Sequence, residues 1–101
     1  MRLKYGNKKT DGFASAKEAL RYRDLVLLQK AGEISELHCQ VPFVIVPKNA
    51  KFREAKYIAD FTYIDKDGKY IVEDTKGFKT REFVLKQKLM YDLFQIEILL
   101  T

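Results

Sequence analysis

Apolar positions first recur at helical spacing, over Leu20, Tyr22, Leu25, Val26, Leu28 and Ala31, the period of an amphipathic helix. Ser15-x-x-Glu18 opens that segment with a capping-box pattern, and Gly32 closes it as the residue just past the last turn. The spacing then shortens. "LHCQVPFVIV", about 37–46, is rich in β-branched residues towards its end and predicts a strand. Pro42 interrupts it, which places the strand at a sheet edge or puts a bulge in it. "PKNAKFRE" (47–54) is a polar connection, and strands follow at about 56–64 and 69–76. Thr80 caps a second helix over roughly 81–94, whose apolar set is Phe83, Val84, Leu85, Leu89, Met90, Leu93 and Phe94. "QIEILL" (95–100) predicts a last short strand. The order α-β-β-β-α-β predicts a single α/β domain, a mixed sheet flanked by helices.

The register of the middle hairpin decides which side chains meet. A three-residue loop, Lys66 to Gly68, with Gly68 in the left-handed position of a G1 bulge, sets Asp65 against Lys69 and Ile64 against Tyr70. Asp60 then stands directly opposite Asp74. A two-residue turn at Asp67-Gly68 is the alternative, and it sets Asp60 beside Thr75 instead. In the preferred register one face carries Ile58, Asp60, Thr62 and Ile64 against Lys76, Asp74, Val72 and Tyr70, with Glu73 pointing the other way.

Facing carboxylates repel and destabilise a strand pair, and the apolar neighbours predict that this face is partly buried, which raises the cost. A shared proton, a salt bridge to Lys76, or a divalent cation on hard carboxylate oxygens would each offset it. Glu18 lies on the helix line Glu18–Tyr22–Leu25–Gln29 that packs on the sheet. It is either a third acid of the same group or simply the third residue of its capping box, and the spacing leaves both open.

Composition narrows the field. The chain has 101 residues, 47% hydrophobic and 33% charged, which suits one folded domain with a modest core. Its formal net charge is +5, compatible with an anionic partner. Arg2, Lys4, Lys8 and Lys9 precede the first acid, Asp11, and Gly6, Asn7 and Gly12 break the segment. Residues 1–14 thus read as a flexible basic arm, a solvated tail or a phosphate-contacting one, ahead of a domain over 15–101. His38 and Cys39 are each the sole residue of their type, too few for a four-ligand zinc site, and neighbours on a strand point apart. A lone cysteine suits a reducing cytoplasm. No apolar run reaches the roughly 20 residues that a membrane span needs, and no signal peptide is expected.

Asp60 followed by Asp74-Thr75-Lys76, in "YIADFTY…VEDTKG", resembles the D…(D/E)-x-K signature of the restriction-endonuclease-like, PD-(D/E)XK, nuclease superfamily. The predicted element order is similar to that superfamily's core. A glutamate on the first helix, here Glu18, is usual in its Holliday-junction-resolvase and transposase-end-nuclease branches. "KYGNKKT", "DGFASAKEALRY" and "LLQKAGEI" extend the likeness, over residues 4 to about 95, to a phage-encoded family of small proteins. One departure is that Ala59, not Pro, precedes Asp60.

This resemblance implies a metal-dependent endonuclease acting on DNA, with branched or junction DNA as the resolvase-like substrate. Mg²⁺, or Mn²⁺ in its place, would be held by Asp60, Asp74, Glu18 and the main-chain carbonyl of Thr75. Lys76 would orient or help deprotonate the attacking water. A homodimer is implied for cutting two strands, working in the host-cell cytoplasm if the protein is phage-encoded. Arg81, Lys86 and Lys88 on the second helix are candidates for phosphate contact, as are Lys4, Lys8 and Lys9; a solvated helix face is the other reading of the first three. Two rival functions are an inactive nucleic-acid-binding module on the same fold and a phage protein that binds a host factor.

Overall fold

Ser15 and Thr80 set where the two helices begin. In the computed structural model, which describes residues 13–75 and 79–101, Ser15 Oγ accepts the Glu18 amide at 3.1 Å and α1 runs Ala16–Lys30. Thr80 Oγ1 accepts the Phe83 amide at 3.0 Å and α2 runs Arg81–Phe94. Each cap satisfies an amide that the helix itself cannot pair. α1 ends in a Schellman turn. Gly32, at φ 82°, donates to the Gln29 carbonyl and Glu33 to that of Leu28, a conformation that glycine adopts without strain.

Four strands, β1 (Ser35–Val46), β2 (Ala55–Ile64), β3 (Tyr70–Asp74) and β4 (Leu99–Leu100), form one sheet in the order β1-β2-β3-β4. The first three run antiparallel, and β4 lies parallel to β3. A parallel neighbour needs a crossover, and α2 supplies it. Among the described residues β1 is outermost, which is where Pro42 is tolerated, and its ladder is irregular between Ser35 and His38 and between Val44 and Val46.

The hairpin takes the three-residue loop. Ile64 pairs with Tyr70, Thr62 with Val72 and Phe61 with Glu73. Gly68 sits at φ 84°, and Asp65 closes the loop by accepting the amides of Asp67 and Lys69 on Oδ1, each at 2.9 Å. Asp60 and Asp74 therefore occupy the next row.

Two apolar clusters hold the sheet between the helices. Phe13, Ala19, Leu25, Ile34, Phe61 and Tyr63 form the one under α1; Ile45, Tyr57, Ala59, Val72, Phe83 and Met90 form the one under α2. The alternation slips at one row. In β1, Leu37 and Cys39 pack towards the α1 cluster but Phe43 and Ile45 towards the α2 cluster; in β2, Phe61 and Tyr63 divide from Tyr57 and Ala59 in the same way. Gln40 lies at the slip in β1 with φ 54°, a left-handed residue that breaks the two-residue alternation of a strand. Asp60 lies at the slip in β2.

Several expectations are corrected. Ile58, Asp60, Thr62 and Ile64 do not share one face, because the slip falls between Ile58 and Thr62; Thr62 is buried, while Ile58 and Tyr70 are about half exposed. The last strand is Leu99–Leu100 and not 95–100, since Gln95 still caps α2 in a left-handed conformation. Leu20, Leu85, Leu93 and Phe94 are exposed, because only one stripe of each helix meets the sheet. The arm expected over 1–14 lies outside the described residues up to position 12. Phe13 does not belong to an arm: it is buried against Tyr22 and Phe61.

Candidate active site

The row at the slip gathers three acids from three elements. Asp60 comes from β2, Asp74 from the end of β3 and Glu18 from the first turn of α1. Glu18 and Asp74 are buried, at 4% and 2% exposure, and Asp60 is half-buried. The two aspartates are not left to repel each other unaided. Asp60 Oδ2 accepts both the amide and the hydroxyl of Thr75, each at 2.9 Å. Asp74 Oδ2 accepts the Tyr57 hydroxyl at 2.6 Å. Burial first, and then the bond to Asp74, push the Tyr57 phenol far above its ordinary range, so it remains a donor.

The electrostatic cost falls on Glu18. Burial, followed by the charges of Asp60 and of Asp74, raises its carboxyl to about 7. The Ala14 amide and the Gln40 side chain oppose that rise without cancelling it; Gln40 Nε2 donates to Glu18 Oε2 at 2.9 Å. The serine half of the capping box is formed, since Ser15 Oγ accepts the Glu18 amide. The carboxylate, however, turns to the sheet and to its edge strand.

Glu73, the neighbour of Asp74, does different work. Fully buried, it receives Arg21 through Nε at 2.6 Å and Nη2 at 3.0 Å, the Tyr63 hydroxyl at 2.7 Å and the Thr101 hydroxyl at 3.1 Å. A two-pronged guanidinium contact of this kind fixes orientation as well as charge. Arg21 lies one turn after Glu18 on α1, so the same ion pair fixes the height of α1 over the sheet and with it the position of Glu18.

Glu18, Asp60 and Asp74 are thus brought into one electrostatic group, and Thr75 joins through its amide and hydroxyl. Lys76 lies outside the described residues, as do Lys4, Lys8 and Lys9. Arg81 and Lys88 are exposed, and Lys86 is paired with Glu82 at 3.2 Å. Among the described residues no three His, Cys, Asp or Glu side chains stand close enough together to hold a metal ion. In kind the donors suit a hard divalent cation, being carboxylate oxygens with surplus negative charge.

Sequence reasoning missed Gln40, Tyr57 and Arg21. Tyr57 offered a signal, standing three residues before Asp60 on the same strand. A left-handed Gln inside a strand offered none.

The fold and this row define a small α/β protein with a buried carboxylate cluster at the end of its central hairpin. The chain belongs to the family described as protein of unknown function (DUF1064), whose model matches residues 2–100. Neither a curated protein nor a solved structure matches it. Among the described residues no helix is long and apolar enough to cross a membrane.

Proposed function

We propose that this protein is a metal-dependent endonuclease of the restriction-endonuclease-like type, hydrolysing DNA phosphodiester bonds, with branched DNA as the favoured substrate and a homodimer as the working unit. The observation that carries the reading is the convergence of three acids from three elements, Glu18, Asp60 and Asp74, two of them buried; burial first, and then the charges of Asp60 and Asp74, raise Glu18 to about 7. Such crowding costs stability without function.

Asp60 and Asp74, with Glu18 and the Thr75 carbonyl, would hold Mg²⁺ or Mn²⁺, and that cation would supply Lewis-acid activation of water and relief of charge on the phosphate. Thr75 and Tyr57 keep the two aspartates apart and aimed. Glu18, near neutrality, can take or release a proton at physiological pH. Lys76 carries the resemblance's lysine role, orienting the water and offsetting oxyanion charge.

The test is cleavage of labelled four-way junction, flap, duplex and single-stranded DNA in Mg²⁺, Mn²⁺ or EDTA, with Lys76→Ala and Asp74→Asn alongside. Metal-dependent cutting that both variants lose is expected. Binding without cutting on every substrate would leave an inactive nucleic-acid-binding module, and indifference to DNA would favour a binder of a host protein.

A further inference from the structure

The connection between β1 and β2 lies outside the acid row. It carries Lys48, Lys51 and Arg53, Lys56 follows at the start of β2, and Glu54 is the one acid between them. Glu54 pairs with Lys56 at 3.2 Å. Phe52 stands among these cations at 69% exposure, the most exposed of the large hydrophobic side chains among the described residues. Single exposed apolar residues are ordinary. What sets this one apart is that its backbone is tied down. Asn49 Oδ1 accepts the amides of both Lys51 and Phe52 at 2.8 Å, and the Asn49 amide donates to the Phe52 carbonyl at 3.0 Å. The closed turn presents the ring with its backbone already ordered, which lowers the entropy cost of using it.

We infer that Phe52 is a base-stacking platform, seating an unpaired nucleobase while Lys48, Lys51 and Arg53 contact the flanking phosphates. An aromatic face set in a basic surface is the chemistry by which single strands are held without sequence preference. The placement agrees. β2 leads from this tip to Asp60, five strand steps beyond Ala55, or about 17 Å at roughly 3.3 Å per residue. Lys56 and Ile58 are exposed along that stretch. A base on Phe52 would thus lie several nucleotides from the acid row. One ring with few apolar neighbours at the tip offers little to a lipid surface, whose capture needs a broad apolar face. The inference rests on the reading of DNA as substrate, and it is tested by binding without cleavage.

The chain contains no tryptophan, so Phe52→Trp introduces a single indole at the tip. Binding of a labelled 20-nucleotide single strand is measured in EDTA by anisotropy for the wild type, Phe52→Ala, Phe52→Leu and Phe52→Trp, with folding checked by melting. Weakening of about tenfold in the Ala and Leu variants, restored binding in Phe52→Trp, and quenching of its emission by the oligonucleotide are expected. Lys51→Ala with Arg53→Ala should lower the salt dependence, log K against log salt, by about 1.4 for the pair, at about 0.7 for each single-strand phosphate contact. Wild-type affinity in Phe52→Leu, emission unchanged at saturation, or no binding at all would overturn the inference. So would a blue shift on phosphatidylserine vesicles with none on DNA. Stacking seen in EDTA by a protein that never cuts would sustain the inference and sink the nuclease reading. Cutting and binding indifferent to Phe52 would do the reverse.

Discussion

Both donors of Thr75, its amide and its hydroxyl, end on a single oxygen of Asp60, Oδ2, each at 2.9 Å. The residue after Asp74 thereby holds the acid of the neighbouring strand, so the row closes as a unit: β2 supplies the carboxylate and the residue just past β3 the clamp. Thr75→Val keeps the amide bond and the side-chain shape and loses the hydroxyl. A loss of about 1 kcal/mol is expected, with Thr75→Ser close to wild type, both read from urea midpoints. Equal midpoints for Val and wild type would show that the amide alone holds Asp60.

Glu18 makes stability depend on pH in an unusual direction. Its carboxyl is raised from 4.5 to about 7, so the folded chain keeps this proton where the unfolded chain has released it. Its contribution therefore declines as pH rises from about 4.5 towards 7, and the penalty is complete above that window. In EDTA, Glu18→Gln should melt near wild type at about pH 4.5 and higher than wild type at about pH 8, by an amount on the order of 1–3 kcal/mol. The same shift at both pH values would exclude the proton as its cause.

Arg21→Ala strands the buried Glu73 charge. Removing one partner of a buried pair costs about 3–5 kcal/mol, and the midpoint should fall accordingly. Adding Glu73→Gln should recover part of that loss, since the neutral amide needs no counter-charge. Failure of the double variant to improve on the single one would mean that packing, not charge, is what Arg21 supplies.

Gln95 ends α2 at φ 56°, a left-handed conformation that costs an ordinary residue about 1 kcal/mol. Its side chain reaches only long contacts, 3.5 Å to the Tyr91 carbonyl and 3.3 Å to that of Asp92. Gln95→Gly is expected to stabilise by about 0.5–1 kcal/mol in thermal melts. A destabilised variant would assign those side-chain contacts more weight than the backbone strain.

Much of the architecture was legible because short-range chemistry specified it. Ser15 and Thr80 cap where a hydroxyl can reach an amide three residues on, and Gly68 fixes the hairpin register that sets Asp60 and Asp74 in one row. The aspartates could be found from that register alone. Their partners could not. Tyr57 reaches Asp74 only because the alternation slips at Asp60, and that slip accompanies a left-handed Gln40, which no local pattern marks. Arg21 and Glu73 lie far apart in the chain, so their pairing follows from how α1 docks rather than from spacing. Where only periodicity was available, as for Leu85, Leu93 and Phe94, it overstated burial.

Gln40 has one more consequence. Among the described residues it sits on the outermost strand, with one flank unpaired. One of the two hydrogen bonds that oppose the rise of Glu18, the one from Gln40, is anchored there, not in the core. A change at position 40, on the rim, accordingly retunes acidity at the heart of the cluster without touching Asp60, Asp74 or their own donors.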